Sequence, residues 1–223
     1  MNNMRIGTLT IGQAPRPDLV SSIKHRIPDA EIVEAGALDP LDVSDLPAKE
    51  CAEKTDYLLT TRLRDGQLVS IPETFLMPFM AGGIKRLEAE CVKAIYIMCA
   101  GTFAELESSI PLVKPFDLAH ELLCAMGLRN LGVIAPIPEQ ERPIRARWTE
   151  AGFRASVWTA DATSPDQAFI EDTRKKQAEF GFQALVLDYV GHPPEVSRRL
   201  QDQLQLPVID LGEVAVATLA AVI

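Results

Sequence analysis

The chain has 223 residues, 47% of them hydrophobic, 24% charged and 6% aromatic, with 22 Lys+Arg against 31 Asp+Glu. That composition excludes a disordered chain and supplies a core for one large domain or two small lobes. A formal net charge of −9 argues against nucleic acid or an anionic membrane as partner, since both need a basic surface, and leaves room for a local basic pocket that binds a small anion.

Met1-Asn2-Asn3-Met4-Arg5 leads into a short apolar run with neither a cleavage-site pattern nor spanning length, so a cytoplasmic location is expected. Arg5–Ile11 reads as a buried strand closed by Gly12 and two prolines, and Pro17 suits the start of a helix over Asp18–Arg26. Glu31–Glu34 is a second strand. Tyr57–Arg62 and Gln67–Ile71 flank Arg64-Asp65-Gly66, and Asp-Gly between alternating segments predicts a hairpin. Phe75–Lys93 has helical spacing that Pro78 and Gly82-Gly83 should weaken or kink. Strand Ala94–Cys99 follows, then a helix in which Leu118, Leu122 and Met126 share one face before Gly127 ends it. Strand Leu131–Ala135, helix Glu139–Ala151, strand Arg154–Trp158 and helix Asp166–Phe180 continue the alternation. Strand Ala184–Asp188, helix Glu195–Gln205, strand Pro207–Asp210 and helix Val214–Ala221 complete it.

This βα alternation predicts an α/β fold whose parallel sheets are covered by helices. The pattern runs twice, with a strand and polar loop opening each half at Ile6–Ala14 and Gly132–Gln140. Two similar lobes are expected: residues 1–113, completed by the C-terminal strand and helix 207–223, and residues 114–206. In open α/β sheets the ligand sits beyond the carboxyl ends of the strands. If the lobes face each other, their strand-exit loops share one cleft.

Cys99 ends an apolar strand and precedes Ala100, Gly101 and Thr102, whose backbone N–H groups could cradle an anion and favour a thiolate. A buried core cysteine is the competing reading. Cys51, Cys91 and Cys124 sit inside helix patterns and read as core residues. The cysteines contain no C-x-x-C pair and are expected as thiols. Asp188, Tyr189, Gly191 and His192 form the matching exit loop of the second half, where a carboxylate, phenol or imidazole could act as acid or base. An aspartate cap and a solvent-facing histidine are the plainer alternative. Gly12, Gln13 and Arg16 occupy the strand-to-helix turn of the first half, a common anion site. Arg16 is either a fork for a carboxylate or an exposed first-turn residue. Arg142, Arg145 and Arg147 read as a solvated helix face. No dinucleotide, P-loop or nucleophile-elbow motif is present, and His25, His120 and His192 lack metal-ligand spacing. Neither a cofactor nor a metal is expected.

Thr10-Ile11-Gly12-Gln13-Ala14-Pro15-Arg16-Pro17-Asp18, Gly36-Ala37-Leu38-Asp39 and Thr61-Arg62-Leu63-Arg64-Asp65-Gly66 resemble the AroM family pattern. The resemblance continues through Cys99-Ala100-Gly101-Thr102-Phe103, Gly132-Val133-Ile134-Ala135-Pro136 and Glu139-Gln140, and covers nearly the whole chain. AroM-like proteins are similar in turn to the Asp/Glu racemase superfamily, with its hydantoin racemases, maleate isomerases and arylmalonate decarboxylases. Leu206-Pro207-Val208-Ile209-Asp210 resembles that superfamily's C-terminus. The resemblance implies two pseudo-symmetric lobes with the active site between them. It also implies cofactor-independent proton transfer beside a carboxylate, with one cysteine from each lobe in the racemases. Cys99 falls on the first of these; Tyr189 stands where the second belongs, and Ala100 replaces a common threonine.

The expected protein is therefore a racemase, isomerase or decarboxylase-like lyase acting on a small carboxylate or amino acid, with Cys99 as base or nucleophile. Tyr189, Asp188 or His192 would handle a second proton, and Gly12, Gln13, Arg16, Arg62, Arg64, Ala100, Gly101, Thr102, Gln140 and Gly191 would bind substrate. A non-catalytic small-anion sensor with the same cleft is the alternative. A homo-oligomer stays open.

Overall fold

The computed structural model describes residues 4–47, 58–193 and 195–223. Cys51 and Tyr57, read above as a core cysteine and a strand start, lie outside the described residues. The chain divides into two compact units, Met1–Lys114 with Ala217–Ile223, and Pro115–Val216.

In the first unit, β1 (Arg5–Thr10), α1 (Pro17–Arg26) and β2 (Glu31–Gly36) precede the antiparallel hairpin β3 (Leu58–Arg62) and β4 (Leu68–Pro72). Then come α2 (Glu73–Ala89), β5 (Ile95–Ile97) and β6 (Leu112–Val113). In the second unit α3 (Pro115–Ala125) leads to β7 (Asn130–Ala135), α4 (Glu141–Glu150), β8 (Arg154–Thr159) and α5 (Gln167–Phe180). It closes with β9 (Ala184–Leu187), α6 (Glu195–Leu204), β10 (Val208–Asp210) and α7 (Leu211–Val222), whose last turns are counted with the first unit.

The two four-stranded sheets are fully parallel and repeat one order. The first runs β2-β1-β5-β6; the second, read from its β8 edge, runs β8-β7-β9-β10. In each, the opening strand pairs with the second strand on one side and the third on the other. The chain therefore reverses direction of travel between β1 and β5, and again between β7 and β9. Ligands of open α/β sheets bind at the carboxyl ends of such strand pairs. The loops after β1 and β5, and after β7 and β9, are the positions that topology selects. One expectation is corrected here: β10 was assigned to the first lobe but hydrogen-bonds to β9, Val208 opposite Leu185, and completes the second sheet.

The inner strands β1, β5, β7 and β9 are buried along most of their length, as sheets covered on both faces require, and the edge strands β2 and β8 only in part. β7 and β9 are buried at every residue. The first core joins Leu9, Leu38, Leu76, Met80, Ile84 and Ile97; the second joins Phe169, Ile170, Phe182, Leu185, Leu187 and Leu200. α2 continues through Pro78, whose missing N–H removes the helical bond to the Thr74 carbonyl one turn into the helix. Gly83 lets this helix close on β1, since a Cβ there would stand 2.5 Å from Leu9 Cδ1. In α3 the buried face is Phe116, Ala119 and Leu123, while Leu122 and Met126 of the expected stripe are exposed. Cys91 is exposed just beyond α2, so its reading as core is also overturned. No helix among the described residues is long and apolar enough to cross a membrane.

Glycine is a steric requirement at the exits of β1 and β2. A Cβ on Gly12 would lie 2.3 Å from the Arg62 carbonyl oxygen, and one on Gly36 2.5 Å from the Gly12 oxygen. These obstacles are backbone, which cannot swing away. Gly12→Ala should destabilise the protein by about 1–3 kcal/mol in urea unfolding, the scale of overpacking. Gly82→Ala should instead stabilise it by about 0.5–1 kcal/mol, because that helical position faces only Arg86 Nη1 at 3.7 Å and alanine is the better helix former. Equal effects of the two substitutions would show that the close approach carries no cost.

Candidate active site

Three exit loops of the first unit are tied together by side chains that hydrogen-bond to backbone. Gln13 donates through Nε2 to the carbonyls of Leu38 (3.1 Å) and Leu41 (3.0 Å), and its Oε1 accepts the Arg64 N–H at 3.0 Å. Asp39 accepts from the Ala14 N–H (2.8 Å) through Oδ1 and the Gly36 N–H (2.6 Å) through Oδ2. Arg64 donates from Nε to the Ala14 carbonyl at 2.8 Å and reaches Asp39 Oδ1 at 3.2 Å. Gln13 and Arg64, expected to hold substrate, thus hold the loops after β1, β2 and β3.

Arg16 makes the expected fork, but to a carboxylate of its own chain. Nε and Nη2 donate to Asp18 at 2.9 and 2.7 Å, and Arg16 is 9% exposed. The hydrogen bond from Arg16 is the main cause holding the Asp18 carboxyl below its ordinary range. Alternation along β3 turns Thr61 and Leu63 inward and Arg62 and Arg64 outward. Arg62 is exposed; its carbonyl accepts the Gln13 N–H at 3.3 Å, and its charge adds to the lowering of the Asp18 carboxyl.

Cys99 lies just past β5, in the bend selected by the topology, and is 9% exposed. The Gly101 N–H donates to its Sγ at 3.4 Å. The bend is tight at Gly101, where a Cβ would stand 3.0 Å from the Phe103 ring. Ala100 and Thr102 are half-buried beside it. Cys99 also packs with the first core, as the core-cysteine reading has it, and its sulfur meets a backbone donor at a strand exit.

In the second unit Asp188 follows β9 and is 3% exposed. Arg147 Nη2 donates to both its oxygens at 2.5 and 2.6 Å, and Trp148 Nε1 donates to Oδ2 at 2.5 Å. Arg147 stacks over Phe116 at 4.7 Å, with Phe116 against Trp148 at the same centroid distance. Two expectations are corrected by this cluster. Arg147 is a buried anchor rather than part of a solvated helix face, and Asp188 is the carboxylate it anchors. The missed signal was Trp148 next to Arg147, an indole that turns this part of α4 inward.

Tyr189 is 38% exposed and meets His192 edge-on at 5.5 Å. His192 is not solvent-facing: its side chain is 5% exposed, with Nδ1 2.8 Å from Asp210 Oδ2. Gly191 takes φ +110°, the turn that brings the histidine back beneath the loop. Gln140 ends a short 3-10 turn after β7 and is half-buried. Among the described residues no three His, Cys, Asp or Glu side chains gather closely enough to hold a metal.

A cavity of about 720 Å³ opens at the opposite, amino edge of the second sheet, lined by Arg129, Phe153, Arg154 and Gln183. α3, α4 and α5 all end near it, and their carbonyl ends are electronegative. Arg129 Nη1 caps the Leu128 carbonyl at 2.9 Å.

Arg147→Ala leaves the Asp188 carboxylate buried without its cation and should cost about 3–5 kcal/mol in urea unfolding. Pairing Arg147→Met with Asp188→Leu should restore much of that loss, since both charges go together. An unchanged unfolding midpoint for Arg147→Ala would show that the pair is idle.

Comparison with known proteins agrees with this architecture. None of the curated proteins matches the sequence. Unliganded arylmalonate decarboxylase superposes with a TM-score of 0.65 at 12% identity, over 98% of this chain and 92% of that one. An aspartate racemase homologue from Pyrococcus horikoshii gives 0.60 at 15% identity, over 98% and 99%. A maleate cis-trans isomerase variant from Nocardia farcinica, solved with a covalently bound succinylcysteine intermediate, gives 0.56 at 13% identity, over 99% and 93%. These likenesses establish the fold. The family model described as AroM protein matches residues 6–223; the chain belongs to the AroM family.

Proposed function

We propose that the protein is a cofactor-independent enzyme, acting in the cytoplasm, that moves a proton at the carbon next to the carboxylate of a small acid. Racemisation, isomerisation and decarboxylation are the reaction types that suit this chemistry. The observation that carries the reading is Cys99, placed where the sheet reverses its strand order, with the Gly101 N–H on its sulfur. A backbone donor favours sulfur as thiolate, the form that acts as base or nucleophile. The decarboxylase, the isomerase and the racemase homologue that share this fold support it, as does a cysteine-bound intermediate in one of them.

In proton abstraction the thiolate takes the α-proton. The C–H bond breaks, an S–H bond forms, and the electron pair moves into the carboxylate as an enediolate. In decarboxylation the C–CO₂ bond breaks instead, the same enediolate forms, and the Cys99 thiol returns a proton to carbon. Arg62, exposed at the exit of β3, suits the substrate carboxylate. Asp188 is committed to Arg147 and Trp148, which leaves Tyr189 and His192 for a second proton. An imidazole carries one nitrogen that can give a proton and one that can take it, so His192 suits that task and Tyr189 suits hydrogen bonding.

The test is α-carbon exchange and CO₂ release in deuterated water, over small amino, dicarboxylic and arylmalonic acids. Cys99→Ser should lower exchange by about 10²-fold or more, the scale of removing a proton-transfer group. His192→Ala should suppress net racemisation more than exchange, and Tyr189→Phe should slow both less. A ligand that raises the melting temperature but shows neither exchange nor CO₂ release would overturn the enzyme in favour of a small-anion sensor.

Ligand contact is tested separately. Arg62→Ala should weaken binding by about 1.5–3 kcal/mol, the scale for a hydrogen bond to a charged group. Iodoacetamide should label exposed Cys91 first on access alone, and ligand should protect Cys99 but not Cys91. Unchanged affinity in Arg62→Ala would place the β3 exit outside the site.

A further inference from the structure

Asp210 ends β10, far in sequence from the loop after β9, yet its carboxylate stands against that loop's histidine. Its Oδ1 accepts the Glu213 N–H at 2.9 Å and so caps the first turn of α7. Its Oδ2 lies 2.8 Å from His192 Nδ1, and the two side chains are 6% and 5% exposed. The Nδ1–H direction does not line up with Oδ2 well enough for a formed hydrogen bond, so the contact here is one of charge and proximity.

The surroundings fix this pairing. Gly212 lets α7 begin directly against the histidine loop, because a Cβ there would meet Asp210 Oδ1 at 3.2 Å, Val190 Cα at 3.4 Å and Gly191 N at 3.5 Å. Glu213 is occupied by a hydrogen bond from buried Ser197. Tyr189 covers His192 edge-on. Asp161 also feels the imidazole: hydrogen bonds from Thr163 chiefly hold its carboxyl below the ordinary range, and the charge of His192 adds to them. Of these carboxylates, Asp210 is the one within contact of a ring nitrogen.

We infer that Asp210 is a positioning residue for His192: its Oδ2 selects the Nδ1–H tautomer and leaves Nε2 as the proton-accepting atom. The second nitrogen of an imidazole takes its role from whatever the first one meets. The alternative is that Asp210 only caps α7. This inference rests on the reading of His192 as an acid/base group for its catalytic consequence, though not for the tautomer itself.

Asp210→Asn separates the two roles, since asparagine caps a helix as well as aspartate does. With its Oδ1 kept on the Glu213 N–H, the amide would turn an N–H donor toward His192 Nδ1. That nitrogen must then accept, and the ring proton moves to Nε2. ¹⁵N spectra of the histidines at pH 8, with His192 assigned from His192→Gln, should show Nδ1–H in the native protein and Nε2–H in Asp210→Asn. The melting temperature should stay within a few degrees, while Asp210→Ala loses the cap as well. Racemisation by Asp210→Asn should fall about 10²–10⁴-fold, the range for disabling a general acid/base. The same tautomer in both proteins, or Nε2–H in the native one, overturns the inference. A tautomer switch with racemisation untouched upholds Asp210 as the positioning residue and removes His192 from the reaction.

Discussion

The first unit depends on one carboxylate. Asp39 gathers the Ala14 and Gly36 N–H groups and the Arg64 guanidinium, and thereby fixes where β1, β2 and β3 release the chain. Buried or half-buried N–H groups without partners each cost on the order of 1–3 kcal/mol, so irregular loops at a sheet end require such a collector. Gln13 performs the complementary service for the Leu38 and Leu41 carbonyls. With these loops immobilised, the Cys99 bend sits beside a rigid edge, and under the proposed function that rigidity is what a group meeting substrate at fixed distance requires.

The second unit reaches a similar end with different chemistry. Its sheet repeats the strand order of the first, but the loop after β9 is anchored by a buried ion pair beneath it. Arg147 and Trp148 hold Asp188, and everything from Tyr189 to His192 hangs from that point. An ion pair so deeply buried gains little net stability over apolar residues of equal size. Its value is in orientation: a carboxylate with donors on both oxygens cannot be rearranged without breaking several contacts.

Much of the fold was legible because hydrophobic runs and turn residues are local signals. The alternation of buried strands and helices, the Asp65-Gly66 hairpin and the duplicated strand-loop opening all appear in the chain as written. The roles of polar residues were not, because a side chain's partner is set by tertiary contact. Arg16, Gln13 and Arg64 have the chemistry of anion binders, and only the folded loops show that Asp18, Leu38 and Ala14 already take their hydrogen bonds. Likewise Arg147 lies in a run of three arginines whose spacing suggests solvent, and Asp188, 41 residues on, decides otherwise. Strand β10 was misplaced for the same reason: its sequence fixes that it is a strand, and its neighbour is chosen by pairing.

Both tryptophans of the chain, Trp148 and Trp158, fall in the second unit. Trp148 is fully buried with its indole N–H on the Asp188 carboxylate, and Trp158 packs on the Phe182 ring 5.8 Å away. Intrinsic fluorescence therefore views one half of the molecule. A tryptophan emission shift reports whether the Asp188 anchor is intact, whereas the sheet that carries Cys99 holds no tryptophan. For that half, the unlabelled thiol of Cys99 is the natural probe, and the two signals together would show whether the halves melt as one body or in sequence.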